Sequence, residues 1–118
     1  MLHFTIRVFL QGPSPVRLCD VTAVVRILDT TSADAPARLV NECRVQHFDY
    51  DDANPSALTV SLRTPEPSDY RRWTVDAFID VDGDGIPSVG DFVTKEAHPL
   101  KFEDSEVIVV AKRIELKA

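Results

Sequence analysis

Apolar residues at every second position, cut at short intervals by proline and glycine, constrain this chain more than any other feature. Residues 2–10 start the pattern, with His3, Thr5 and Arg7 interrupting the apolar residues, and Gly12-Pro13-Ser14-Pro15 closes it. A second strand is expected over Val16–Leu28, with Val21, Ala23, Val25 and Ile27 on one face. After the polar connection Asp29–Pro36, a third covers Arg38–Phe48, and Asp49–Pro55 reads as a loop. The fourth, Ala57–Arg63, points Leu58, Val60 and Leu62 inward and breaks at Thr64-Pro65-Glu66-Pro67, because proline cannot donate to a ladder. The fifth, Arg72–Asp80, sets Trp73, Val75, Ala77 and Ile79 on one side. A short sixth is expected at Phe92–Ala97, ended by His98-Pro99, and a Val/Ile-rich seventh at Glu106–Leu116.

No stretch keeps a 3.6-residue period, so no helix is available to cover a parallel sheet. The chain therefore reads as all-β: an antiparallel β-sandwich of about seven strands. Its 118 residues suit one domain, residues 1–118.

Nineteen acids against thirteen bases give a formal charge of −6, which disfavours nucleic acid and anionic membranes as partners. No window approaches the roughly 18 apolar residues of a membrane span. The first residues lack the continuous apolar stretch of a secretory leader. As given, the chain is expected in the cytoplasm, or in the periplasm or outside the cell if a leader has been removed. Cys19 and Cys43 cannot make a zinc site alone. They read as two thiols on separate strands, with one disulfide as the alternative.

The sharpest local signal is Asp80-Val81-Asp82-Gly83-Asp84-Gly85-Ile86-Pro87-Ser88-Val89-Gly90-Asp91. It fits the calcium-loop pattern D-x-[DN]-x-[DN]-G-x5-[DE], with Asp in the last position. Calcium takes six to eight hard oxygen ligands, and alternate residues of a tightly curled loop aim carboxylates at one point. Asp80, Asp82 and Asp84 supply three side chains, and Gly85 allows the turn. Ile86 offers its carbonyl, Ser88 ligates directly or through water, and Asp91 closes the shell. The flanking segments alternate as strands, so a Ca²⁺ loop between two strands is expected rather than a helix-loop-helix sensor. The alternative is an Asp/Gly-rich turn without metal. A second acidic cluster, Asp49-Tyr50-Asp51-Asp52, lacks the glycine and the spacing and reads as a solvated loop.

The stretch Val25-Arg26-Ile27-Leu28-Asp29-Thr30-Thr31-Ser32-Ala33-Asp34-Ala35-Pro36-Ala37 resembles the strand-and-turn signature of the lipoprotein-chaperone-like family that includes YscW and YbaY. The run from Asp80–Asp91 through Phe92-Val93-Thr94 to His98-Pro99-Leu100 is similar as well. The resemblance covers about Leu10 to Leu116 and implies a pilotin-like β-sandwich without catalytic activity. The family's better-understood members are lipid-anchored helpers of an outer-membrane secretin in type III secretion. Cys19 follows Val16-Arg17-Leu18 with no apolar segment upstream, so it does not read as a lipid-attachment cysteine.

Three functions stay open at this point. The first is a non-enzymatic, protein-binding or chaperone-like module stapled by Ca²⁺, using a strand edge or loop surface for its protein partner. The second is a small metal-dependent hydrolase, although His3, His47 and His98 share no motif with a Ser, Cys or Asp. The third is a structural domain with an unmetallated acidic turn. Phe78, on the otherwise polar Thr74, Asp76, Asp80 face, marks either a contact surface or an aromatic covered by a loop.

Overall fold

Alternation becomes geometry in β1 (Leu2–Gln11), where Phe4, Ile6 and Val8 are fully buried while Arg7 and Phe9 face out. Each such burial stabilises the fold by about 1.5–3 kcal/mol. The same rule builds β4 (Leu58–Thr64), β5 (Trp73–Asp80) and β8 (Glu106–Arg113). The longer β2 (Arg17–Asp29) and β3 (Arg38–Asp51), with the short β6 (Phe92–Val93) and β7 (His98–Leu100), complete the set. The computed structural model describes residues 1–12, 16–32, 34–51, 58–69, 71–96, 98–103 and 106–115, and no helix occurs among them. The Pro13–Pro15 turn, Ala33, the loop residues 52–55, Ala57, Ala97 and Leu116 named above lie outside the described residues.

The strands pair in the order β3-β2-β5-β6-β8-β1-β4, with β7 added on β5. The two ends of that path meet across one side chain. The Asn41 amide of β3 donates to the Arg63 carbonyl of β4 at 2.9 Å and to the Thr64 hydroxyl at 3.2 Å. The result is a nearly closed, barrel-like sheet around Phe4, Ile6, Val25, Ile27, Val75, Ile79 and Val109.

The all-β expectation, with about seven strands, holds; the sheet is not wholly antiparallel, and it curls like a barrel without a clear division into two sandwich layers. Seven of the eight strands form one continuous sheet path with β7 beside β5, and β1 runs parallel to β8, Thr5 pairing with Glu106 through Gln11 with Lys112. A parallel pair needs a long crossover, for which a helix is the common solution. Here the rest of the chain supplies the crossover, since the partners are the first and last strands. The single sixth strand is also corrected. Phe92–Val93 pairs with both β5 and β8, whereas His98–Leu100 pairs with β5 farther along.

β3 continues through Asp51 where a solvated loop was expected, and Tyr50 is buried in the core. Near this end the β2–β3 register shifts, and Asp20 and His47 take left-handed φ values of 57° and 58°. Asp is among the side chains that tolerate this region best. The His47 ring bonds the Asp20 carboxylate, and the Asp20 N–H donates to Asp49 at 2.8 Å. The shift reverses the alternation, so that Cys43 and Val45 pack on the core before it and Phe48 and Tyr50 after it.

Candidate metal centre

The acidic loop joins β5 to β6 at one end of the barrel. Asp80 is the last residue of β5 and Asp91 directly precedes β6. Both are buried, Asp91 at 1% exposure, whereas Asp82 and Asp84 face solvent. Two glycines set the curl: Gly83 and Gly85 have φ of 78° and 77°, a conformation that a β-carbon disfavours. The far side is tied to the end of β8. Gly90 N–H donates to the Ile114 carbonyl at 3.0 Å, and Ile114 N–H to the Asp91 carbonyl at 2.8 Å.

The carboxylates organise the loop from within. Asp80 accepts the Gly83 N–H at 3.0 Å on one oxygen and the Gly85 N–H at 2.8 Å on the other. Asp91 accepts the Val81 N–H at 2.8 Å and, on its second oxygen, the Ser88 N–H at 3.1 Å and hydroxyl at 3.2 Å. The Ser88 hydroxyl lies 2.9 Å from Asp82 as well, and Asp84 accepts the Ile86 N–H at 2.9 Å. Asp80, Asp82, Asp84 and Asp91 each offer an oxygen within 4.8 Å of the others.

Crowding splits the two exposed acids. The Ser88 hydrogen bond, with smaller help from the Asp84 N–H, holds Asp82 below the ordinary carboxylate range despite desolvation. For Asp84 the Ile86 N–H pulls downward, but desolvation, the hydrogen bond shared with Asp82 and the charges of Asp82 and Asp80 outweigh it. Its carboxyl therefore sits above the ordinary range. A cation among these oxygens would remove that conflict. The donor set is hard oxygen throughout, which suits Ca²⁺ or Mg²⁺ rather than a thiophilic metal. Each carboxylate oxygen that accepts one N–H keeps a second lone pair for a cation.

Four of the six expected ligand residues thus contribute the clustered carboxylates, and the Ser88 hydroxyl bonds two of them. Ile86 is fixed through its N–H, with its side chain in solvent. Phe78 is half-buried opposite Val24 in the β2–β5 register. Gly85 and Pro87 line the same shallow cavity as these two, about 170 Å³. The loop therefore leans over this face, as the covered-aromatic alternative expects.

The remaining candidates stay apart from the loop cluster, which among the described residues contains no histidine or cysteine. His3 lies in β1 and His98 in β7. Cys19 and Cys43 are free thiols on β2 and β3. The charge of Asp49 and a hydrogen bond to it push the Cys19 thiol up, away from the reactive thiolate. Sequence reasoning missed the Asp20–His47–Asp49 contacts. Isolated acidic and imidazole residues in strands carry no local signal of a register shift.

No family model matches the sequence, and no curated protein matches it. A solved structure does match: an alternative pilotin from the type II secretion system of Vibrio cholerae, with a TM-score of 0.69. The match covers 96% of this chain and 96% of that one, at 18% sequence identity. The fold is pilotin-like. The likeness spans both the acidic-loop end and the opposite end of the barrel, and it agrees with the fold that the Val25–Ala37 signature implies. No helix among the described residues is long and apolar enough to cross a membrane.

Proposed function

We propose that the chain is a non-enzymatic, protein-binding, chaperone-like module whose Asp80–Asp91 loop binds Ca²⁺ as a structural staple. The observation that carries the binding role is the pilotin-like fold, matched along nearly the whole of both chains. By analogy with that neighbour the partner is a protein, and an outer-membrane secretin is the one the family resemblance implies. The crowded carboxylates support the metal. Asp80, Asp82, Asp84 and Asp91 would ligate through side chains, Ile86 through its carbonyl, and Ser88 directly or through water. A bound ion would stabilise the fold by mass action, because the unfolded chain holds no such site. Hydrolysis would need an open metal position beside an acid or base, and a cluster of aspartates alone favours a structural site.

One observation favours an unmetallated turn instead: both Asp80 oxygens already accept backbone N–H groups. Calcium titration separates the two, because a self-sufficient turn does not respond to the ion.

The binding role is tested by placing a photoreactive amino acid at exposed positions around the barrel and irradiating intact cells. A single protein crosslinked from neighbouring positions is expected. Crosslinks scattered among unrelated proteins, or none at any position, would overturn the proposal.

A further inference from the structure

The start of β5 holds a second organised feature, at the opposite end of the strand from the acidic loop. Trp73 and Leu100 are paired across β5 and β7, and both are buried. Phe102 stands edge-on to Trp73, with ring centroids 4.6 Å apart. These three side chains line a pocket of about 590 Å³, a volume typical of ligand clefts. Among the described residues the buried indole N–H of Trp73 has no hydrogen-bond acceptor, an unfavourable state for a buried donor.

The charges at the rim are equally unresolved. Carrying the β5–β7 register one pair further sets Arg72 opposite Lys101, and both line the pocket. Like charges directly opposite on paired strands repel. Among the described residues neither head group has an ion-pair partner. Arg71, the third cation there, is held by Asp69 at 3.1 Å and Asp29 at 3.6 Å. Arg72 is anchored, among the described residues, through its backbone, the N–H donating to the Thr31 hydroxyl and the carbonyl accepting from Thr30. Among the described residues Glu103 is the acid that lines the pocket, and counting these residues the unpaired charges at the rim are net positive. In a chain of formal charge −6, two facing cations above an apolar floor define the complementary group: a carboxylate next to an apolar side chain.

We propose that this pocket binds an acidic, apolar peptide segment of a protein partner. A leucine- or phenylalanine-like side chain packs on Phe102, Leu100 and Trp73, and a neighbouring carboxylate sits between Arg72 and Lys101. This rests on the protein-binding function proposed above and gives it a location and a partner chemistry.

Trp73 is the sole tryptophan, so its emission reports directly on the pocket. The probes are the capped peptide Asp-Leu-Phe-Glu-Leu-Asp, the same peptide with lysine in place of each acid, and laurate. The acidic peptide is expected to change the emission saturably. The exposed double variant R72E/K101E should weaken it about tenfold or more and shift preference to the lysine peptide. An acidic peptide without saturable effect, or bound equally by R72E/K101E, would overturn the proposal, as would laurate binding where the peptide does not. If the peptide fails while a partner crosslinks elsewhere on the barrel, the pocket assignment falls and the protein-binding function stands.

Discussion

One strand, β5, begins at an unpaired cationic rim and ends in a crowded acidic loop, roughly 23 Å apart at about 3.3 Å per residue. Both ends bring like charges together, yet only at the acidic end do local hydrogen bonds organise them. There the loop curls so that its N–H groups and Ser88 hydroxyl donate to every carboxylate. At the other end, Arg72 and Lys101 line one pocket with Glu103, and neither cation has an ion-pair partner among the described residues. A carboxylate can be satisfied by backbone donors that any turn provides. At the acidic end local donors hold the carboxylates in place but leave them crowded, a conflict that a cation would relieve. The cationic rim has, among the described residues, no such local donors or acceptors to organise it.

The largest expected effect breaks the acidic end. Asp91→Ala removes the acceptor for the Val81 and Ser88 N–H groups beneath the loop, costing about 2–4 kcal/mol. Melting followed by circular dichroism in a chelator should show the midpoint lower by about 10 °C. The exposed Arg72→Ala should move it by less than about 2 °C under the same conditions. Equal shifts for the two would erase the contrast.

A smaller, pH-dependent effect belongs to Asp29, beside the cationic end. The Thr31 hydroxyl and N–H, with lesser help from Arg71 and Arg38, hold its carboxyl below the ordinary range against some desolvation. Its stabilisation is therefore complete above the unfolded value of about 3.9 and disappears as pH falls through the lowered folded value. Asp29→Asn should melt earlier than the native chain near neutrality, with the gap closing in acid. A gap independent of pH would point to packing rather than charge.

The smallest effects come from deleting one charge at each end. Lys101→Gln should stabilise the fold by about 0.2–1 kcal/mol by relieving Arg72. Asp84→Asn should raise the midpoint slightly in chelator, since the ionised form is disfavoured there, while reducing the gain from calcium. Destabilisation by Lys101→Gln would mean that the cationic rim is internally paired after all.

The two ends also differ in how legible they were. Within the loop every interaction is local, so the spacing of Asp80, Asp82, Asp84 and Asp91 already placed the carboxylates together. The inward faces of β2, β4 and β5 were equally readable, because a period of two fixes them whatever the partner strand. The cationic pocket was not, since the β5–β7 pairing is what brings Arg72 and Lys101 to the lining of one pocket. The same holds for the parallel β1–β8 pair and for Asn41, whose side chain joins the two ends of the sheet. Alternation says which way a side chain points and is silent on which strand lies beside it.

The claim most exposed to refutation is that the acidic loop is built for a cation. Calorimetric titration of the chelator-treated protein with Ca²⁺ tests it, with D82N/D84N alongside. One ion per chain is expected, bound about tenfold or more weakly by the double variant, because affinity follows ligand charge. No heat of binding and no rise in melting temperature at millimolar calcium would contradict it, and would make the loop a turn sustained by its own hydrogen bonds.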